Sequence, residues 1–243
     1  MLNTTGIIGM GEVGNAILNV FCPHYSYFSY DPITGYGGDL QYQDRGSDTI
    51  HIKGNGVDVL HICFPYCDSF VNDVGAYKLK FRAKYVVIHS TVPIGTSRLC
   101  KASHSPIRGI HPNLTEGVKT FPKFIGGSEA SDIADYFRKA GLRVVLFDKQ
   151  ETTELAKLLD TEYYRVCIEF AKDAKRHCDY NKIPFHEVYT LFNQTYNDGY
   201  VQLGHPEYVR PVLQPIMTKI GGHCVKSNQQ LMSPLLENLR EGD

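Results

Sequence analysis

The sequence predicts an α/β protein in which a doubly wound, mainly parallel sheet is followed by an all-helical part. Before residue 150, short runs rich in β-branched and aromatic residues alternate with amphipathic or glycine-punctuated segments, as in βαβ units. From residue 151 to 181 the chain contains no Gly or Pro and carries apolar residues at helical spacing. These two patterns predict two domains, residues 1–150 and 151–243, joined rigidly by the long helix.

The individual elements follow from the length and residue types of each run. Strands are predicted at residues 4–8, 25–30, 57–64, 84–90, 107–111, 123–126 and 142–147. Helices are predicted at residues 151–181, 184–192 and 227–239. The long helix has apolar residues on more than one side. A single small helical domain cannot bury that much apolar surface. We therefore expect a homodimer built on residues 151–181.

The composition excludes several classes of partner. With 25 basic and 26 acidic residues the net charge is -1, so no positive field would hold nucleic acid or an anionic membrane. No run approaches the roughly 20 apolar residues that cross a bilayer, and no signal-peptide pattern opens the chain, so we expect a cytoplasmic protein. The 7 cysteines favour reduced thiols, and the 10 histidines show no metal-ligand spacing, so we predict no metal site.

A glycine-rich turn follows the first predicted strand and opens a helical pattern. Its sequence is Gly9-Met10-Gly11-Glu12-Val13-Gly14. Glycines at these positions permit a tight turn, close approach of backbone to a pyrophosphate, and close packing of helix on strand. Asp31 ends the second strand, where a carboxylate would bind ribose hydroxyls and repel the extra phosphate of NADP. We therefore predict a Rossmann-type domain that binds NAD.

Further motifs occur in a fixed order along the chain. They are His61-Ile-Cys-Phe-Pro65, Ser90-Thr-Val-Pro-Ile-Gly-Thr96, Thr115-Glu116-Gly117, Lys123-Phe-Ile-Gly-Gly127, Glu154-Leu-Ala-Lys157-Leu158 and Gly221-Gly-His-Cys224. In sequence and order they resemble the UDP-glucose/GDP-mannose 6-dehydrogenase family. The resemblance implies an NAD-binding domain and a central helical domain, without the family's third domain, which binds the nucleotide of the sugar substrate. It also places Phe64 and Pro65 beside the cofactor.

Cys224 is the candidate nucleophile. It follows a Gly-Gly pair and precedes a predicted helix start, with Lys226 nearby. Backbone N–H groups at a helix N-terminus and a neighbouring ammonium lower a thiol pKa, and a thiolate can trap an aldehyde as a thiohemiacetal. By resemblance this loop carries the family's nucleophile, and Gly222 and His223 would contact the substrate.

The resemblance assigns roles to three further side chains. Lys157 occupies the position of the catalytic lysine, whose ammonium would stabilise a developing oxyanion, although a solvated helix lysine is the alternative. Thr91 would position a water or hydroxyl at the carboxyl end of a strand, beside the cofactor. Glu116 corresponds to the acid that assists water activation.

Two positions depart from the family pattern. Where the family has an asparagine that shares oxyanion binding, this chain has Thr161, and where it has an aspartate base, this chain has Asn228. An amide cannot take up a proton at neutral pH. We therefore expect the thiolate and the lysine to persist while the proton-handling step is altered.

Three functions remain open at this stage. The leading hypothesis is NAD-dependent oxidation of a primary alcohol on a sugar-like substrate to a carboxylate, with Arg210 holding an anionic part of it. The second is a two-electron dehydrogenase of a hydroxy acid or alcohol, in which Lys157 is central. The third is an NAD-binding subunit that has lost catalysis. His111-Pro112 also resembles the prephenate dehydrogenase group, over a shorter stretch. A partner protein could supply the missing nucleotide-binding surface.

Overall fold

The computed structural model describes residues 2–31, 42–44, 47–50, 56–215, 228, 231 and 232. In this part of the chain nine strands form one sheet in the order β4-β3-β2-β1-β5-β6-β7-β8-β9. The strands are β1 (Thr4–Ile8), β2 (Ser26–Tyr30), β3 (Tyr42–Asp44), β4 (Ser47–Ile50), β5 (Val59–Ile62), β6 (Tyr85–Ile88), β7 (Ser103–His104), β8 (Lys123–Gly126) and β9 (Val144–Phe147).

The centre of the sheet is parallel and both of its edges contain antiparallel pairs. β1 pairs in parallel with β2 and β5, and β5, β6 and β7 continue in parallel. β8 runs antiparallel to β7 and parallel to β9, while β3 is antiparallel to β2 and β4. The strand order reverses direction at β1, as a doubly wound sheet requires. The predicted Rossmann-type fold class, with a helical segment after it, is confirmed.

The helices of the described residues connect and follow these strands. They are α1 (Glu12–Phe21), α2 (Phe70–Lys80), α3 (Thr96–Leu99), α4 (Leu114–Thr120), α5 (Ala130–Lys139), α6 (Gln150–Asn181), a π-helix (His186–Leu191), α7 (Phe192–Gln202) and a 3-10 turn (Pro206–Tyr208). The predicted long helix is confirmed. The helix predicted at 184–192 is longer than expected, since a π-helix passes directly into α7. The helix predicted at 227–239 lies largely outside the described residues.

One predicted strand is wrong. Residues 107–111 form no strand, and the strand that pairs with β6 is the shorter β7, whose last ladder contact is the Ser105 N–H bond to the Ile88 carbonyl at 2.8 Å. Pro106 follows at once and has no N–H to continue the ladder. Apolar content alone made Ile107 resemble the start of a strand.

The parallel strands bury both of their faces. Ile7 and Val59 contribute to one apolar cluster, beneath α1 and α5, and their neighbours Ile8 and Leu60 contribute to another, beneath α2. Side chains alternate between the faces of a strand, so each face of the sheet has its own core. The helices that carry the chain from strand to strand cover these two cores.

A buried polar chain crosses one of these cores. His89 lies with its Nδ1 2.6 Å from the Ser105 carbonyl, its Nε2 lies 2.8 Å from His61 Nδ1, and His61 Nε2 lies 2.8 Å from the Tyr136 hydroxyl. Burial lowers the pKa of both histidines, that of His61 to about 3. A carbonyl can only accept, so in neutral rings His89 Nδ1 donates to Ser105 and His61 Nδ1 donates to His89 Nε2.

Lys123 ends this chain as a buried amine. Its Nζ donates to the carbonyls of Ser105 at 3.1 Å and Pro106 at 2.8 Å. Burial lowers the pKa of Lys123 to about 7, against an opposing effect of the Cys63 thiol. The neutral amine is therefore accessible near neutral pH, and both of its protonation states can donate to the two carbonyls.

The chain divides into two compact units, Met1–Lys157 and Leu158–Asp243. The division falls within α6, and the domain limits and roles predicted from the sequence remain predictions. Among the described residues, none of the helices combines the length and apolar character that a membrane span requires. The second unit contains the rest of α6, the π-helix and α7.

Candidate functional site

The three glycines of the first turn serve three different purposes. Gly9 has φ +90, and a Cβ there would lie 2.8 Å from the Phe64 nitrogen. A Cβ on Gly14 would lie 1.8 Å from the Gly9 carbonyl oxygen, so this glycine allows α1 to pack against the turn. A Cβ on Gly11 would meet nothing within 4 Å. Gly11 therefore borders open space at the N-terminus of α1, where helix N–H groups favour an anion.

Asp31 is fixed beside this turn. Its Oδ2 accepts the Met10 N–H at 2.7 Å, and the Gly9 N–H donates to the Tyr30 carbonyl at 2.9 Å. The Asp31 residue is only 9% exposed. These two bonds tie the end of β2 to the glycine-rich turn, so the carboxylate and the helix N-terminus form one rigid unit.

A cleft of about 390 Å³ adjoins the turn. One wall comes from the turn and the adjoining face of α1, and the other from Pro112 and the first residues of α4. The lining residues are Met10, Gly11, Glu12, Asn15, Ala16, Asn19, Pro112, Leu114 and Thr115. Across the mouth of this cleft the His111 ring donates its Nδ1–H to the Glu12 carboxylate. This contact was not foreseen from the sequence, because 99 positions separate the two residues.

Phe64 and Pro65 follow β5 at the same end of the sheet. The Phe64 carbonyl accepts the Ser90 hydroxyl at 2.5 Å, which joins the segment after β5 to the segment after β6. Pro65 is exposed and Thr91 is half-buried. Ligands of open α/β sheets bind at the carboxyl ends of the strands, and the predicted cofactor residues lie there.

The loop that follows Thr91 is held by Glu154 of α6. The two oxygens of this carboxylate accept the N–H groups of Gly95 at 2.6 Å and Ser97 at 2.7 Å. Glu154 is only 1% exposed, so both bonds form away from water. A nearby but exposed contact joins Arg98 Nε to Glu151 Oε1 at 2.8 Å. The loop after β6 and the first turns of α6 are thereby one assembly.

Lys157 lies one helical turn after Glu154 and is half-buried. Its positive charge is the smallest of the contributions that lower the pKa of His104 and of Lys123, after the burial of each group. Two charged residues near Lys157 on α6 have hydrogen-bond partners of their own. Glu154 is buried against the loop after β6, and Glu162 pairs with Arg165 at 2.8 Å.

Solved structures share this arrangement of strands and helices. The UDP-D-ManNAc dehydrogenase from Pyrococcus horikoshii is 18% identical with a TM-score of 0.70 over 94% of this chain and 63% of its own. For the UDP-glucose dehydrogenase from Pyrobaculum islandicum the values are 16%, 0.71, 98% and 65%. The fold is that of UDP-sugar dehydrogenases. The chain spans about two thirds of the length of these enzymes.

A shorter enzyme has a comparable fold. The 3-hydroxyisobutyrate dehydrogenase from Mycobacterium tuberculosis is 11% identical with a TM-score of 0.67, and the match covers 98% of this chain and 88% of the enzyme. No protein-family model and no curated protein sequence matches the chain. The likeness is therefore one of fold, and the chemistry has to be argued from the side chains.

Three further residues predicted to act in catalysis differ in how far they are exposed. Glu116 lies on α4, is exposed, and pairs with Lys119 at 3.5 Å. Thr161 is half-buried on α6. Asn228 is buried, and its Nδ2 donates to the Leu158 carbonyl at 3.2 Å. Among the described residues its Oδ1 is a buried acceptor without a hydrogen-bond donor.

Arg210 does not form a surface ion pair in the described part of the chain. Its guanidinium lies 3.6 Å from the centre of the Tyr196 ring. The backbone N–H of Arg210 donates to Asn197 Oδ1, and its backbone carbonyl accepts from Asn197 Nδ2, both at 2.9 Å. Because the guanidinium stacks on the ring by its face, the N–H groups along its edge can donate to an anion.

The predicted nucleophile and its loop cannot be placed. Cys224, Gly222 and His223 lie outside the described residues. Among the thiols that are described, burial raises the pKa of Cys63 and raises that of Cys100 to about 11. Both are therefore protonated and poorly nucleophilic at neutral pH. In the described residues no group of three metal-ligating side chains occurs.

Proposed function

We propose that this chain is an NAD-dependent oxidoreductase acting on a CH–OH group. The observation that carries the proposal is the turn at Gly11, where open space, a helix N-terminus and the fixed Asp31 carboxylate meet. A Cβ at Gly11 would occupy the space that a pyrophosphate needs, so the residues present fit a dinucleotide. When bound, NAD supplies the acceptor for the hydride that leaves the substrate carbon.

NAD is favoured over NADP because of the charge at the end of β2. A buried carboxylate next to the adenosine ribose accepts two hydroxyls and repels a 2′-phosphate. The match to UDP-sugar dehydrogenases supports a nicotinamide enzyme without deciding between the two cofactors.

For the substrate we propose a primary alcohol on a sugar or sugar-like molecule. The overall change is RCH₂OH + 2 NAD⁺ + H₂O → RCOO⁻ + 2 NADH + 3 H⁺. Cys224 would add to the intermediate aldehyde and hold the acyl group as a thioester until water releases the carboxylate. Lys157 would stabilise the oxyanion, and Thr91 and Glu116 would orient and activate water.

The two departures from the family alter how protons and oxyanions are handled. Thr161 can donate one hydrogen bond but reaches less far than an asparagine, and Asn228 is a hydrogen-bonded amide rather than a base. We propose that water, rather than residue 228, takes up the proton of the thiol. Thiol activation then limits the rate.

The substrate would be small or completed by another protein. Arg210, Gly222 and His223 are the residues proposed to contact it, with the stacked guanidinium binding a carboxylate or phosphate. The chain spans only part of the UDP-sugar dehydrogenases that share its fold.

A two-electron dehydrogenase is the second candidate. The observation in its favour is the 88% coverage of 3-hydroxyisobutyrate dehydrogenase, an enzyme whose length this chain nearly spans. In this case Lys157 would stabilise the alkoxide and Cys224 would have no covalent role. One NADH would form per substrate, with the ketone or aldehyde as product.

Direct cofactor titration tests the shared part of both candidates. We expect calorimetry to show NAD binding at least tenfold tighter than NADP binding, and Asp31→Asn to reduce this preference while keeping an acceptor for the Met10 N–H. Two NADH per molecule of acid supports the first candidate and one supports the second. Binding without turnover of any sugar nucleotide, sugar or hydroxy acid indicates a subunit without catalysis. Failure to bind either cofactor contradicts all three.

A further inference from the structure

A carboxylate borders the space where the pyrophosphate of a dinucleotide is expected. Glu12 is the first residue of α1 and lines the cleft next to Gly11. An acidic side chain in the first turn stabilises an empty helix N-terminus by complementing its partial positive charge. Once phosphates approach the same N–H groups, the carboxylate repels them. Glu12 therefore opposes the anion binding that the rest of the turn favours.

His111 supplies the missing compensation. Its ring Nδ1–H donates to the Glu12 carboxylate, and the side chains are 48% and 56% exposed. His111 precedes Pro112, which belongs to the opposite wall of the cleft. The contact joins the two walls and turns the carboxylate toward the imidazole. As an N–H donor the ring weakens the field of the carboxylate.

We propose that His111 determines the affinity of this chain for its dinucleotide by neutralising Glu12 at the mouth of the cleft. This rests on the proposed NAD site. The interaction is between partly exposed groups, so its effect on the protein without ligand is small. A bound pyrophosphate makes the difference larger, because it displaces water and brings a second negative charge within about 6 Å of the carboxylate.

Four proteins separate charge compensation from other causes. NAD affinity is measured by calorimetry at one pH and low salt for the unchanged chain, His111→Gln, Glu12→Gln and the double variant. We expect His111→Gln to weaken NAD binding about tenfold, the size of one screened charge repulsion at this distance. Glu12→Gln should bind NAD as tightly as the unchanged chain or more tightly. The double variant should recover most of the affinity that His111→Gln loses.

The matched control is another exposed ion pair in the same unit. Arg138→Gln breaks the 2.8 Å contact with Asp135 on α5, whose residues do not line the cleft, and should leave NAD affinity unchanged. Unfolding temperatures of all variants establish that each is folded. Adenosine, which has no phosphate, should bind all of them alike.

The outcomes distinguish this inference from the proposed function. If the unchanged chain binds NAD and His111→Gln binds it equally well, the role of His111 is refuted and the NAD site stands. The same holds if Glu12→Gln fails to rescue His111→Gln. If the unchanged chain binds neither NAD nor ADP-ribose, the proposed function fails and the inference fails with it.

Discussion

The two units of the chain treat their apolar side chains differently. In Met1–Lys157 the two faces of the sheet are covered by helices, and Phe21 and Phe137 are 0% exposed. In the described part of Leu158–Asp243, large apolar side chains lie on the surface of α6 and α7, with Phe170 66% and Phe192 63% exposed. In a layered sheet, helices bury both faces of each strand, whereas in paired helices the outer faces stay exposed to solvent.

This difference indicates what each unit needs in order to be stable. The first unit contains a complete core and the whole of the predicted dinucleotide turn, so it has its own driving force for folding. The second has an exposed apolar surface of the kind that marks protein contacts. The comparison therefore predicts that substitutions in the first unit change stability, and that equivalent substitutions in the second change association.

The largest expected effect is the loss of a core ring in the first unit. Phe21 stacks on Tyr136 with ring centres 4.9 Å apart and packs edge-on against Phe137 at 5.1 Å. Phe21→Ala should lower the free energy of unfolding by about 3–5 kcal/mol, from lost transfer energy and the cavity left behind. Urea unfolding followed by circular dichroism measures it.

The control for Phe21 is a phenylalanine of the second unit. Phe170→Ala removes the same atoms from an exposed position and should cost the isolated protomer about 0.5 kcal/mol or less. Equal losses for Phe21→Ala and Phe170→Ala would show that the two units do not differ in the way their exposure indicates.

The next effect concerns the cofactor and uses two glycines of one turn. Gly11→Ala adds a Cβ to open space, so stability should be unchanged while NAD affinity falls about a hundredfold as the methyl meets the pyrophosphate. Gly14→Ala forces a Cβ within 1.8 Å of the Gly9 oxygen and should lower both stability and affinity. Calorimetry with thermal unfolding separates the two. A Gly11→Ala variant with full affinity would place the ligand elsewhere.

These glycines also show which features of the site can be predicted from the sequence alone. The turn from residue 9 to 14 is local, since its spacing alone fixes the turn, the open position and the helix, and the structure has all three. Glu154 could not be assigned, because its partners Gly95 and Ser97 are distant in sequence and become neighbours only when α6 packs on the loop. The hydrogen-bonded network of His61, His89 and Lys123 could not be predicted either, since each residue lies on a different strand or at its end.

The third prediction uses the buried amine of the first unit. The folded pKa of Lys123 is lowered from 10.5 to about 7, so between these values the unfolded chain binds more protons. Stability should therefore rise with pH from 7 toward 8.5, by up to about 1.4 kcal/mol per pH unit, the slope for one proton. Above this range the buried thiols oppose it, because their pKa values are raised when folded.

Lys123→Met is the matched variant for this pH dependence. It keeps a long apolar stem but cannot titrate, so the slope between pH 7 and 8.5 should disappear even if the variant is less stable overall. Below pH 6.5 both proteins should lose stability, because the pKa of His61 and of His104 is lowered to about 3 by burial. A slope that persists in Lys123→Met would assign the titration to another group.

The smallest expected change in protomer stability accompanies the test of the second unit. We expect a homodimer through residues 151–181, and Phe170 lies on α6 with its side chain largely exposed. Phe170→Glu should leave the free energy of unfolding of the protomer within about 0.5 kcal/mol, because the Phe170 side chain is largely exposed and touches the Tyr189 ring only at its margin. In a dimer the same carboxylate would be buried without a partner, at a cost of several kcal/mol per interface. Light scattering at micromolar concentration should therefore show a dimer for the unchanged chain and a protomer for Phe170→Glu, with the exposed His177→Glu on the same helix as a control for one added negative charge. A monomeric unchanged chain would contradict the dimer. The exposed apolar side chains of the described part of the second unit would then be candidates for contact with a different protein.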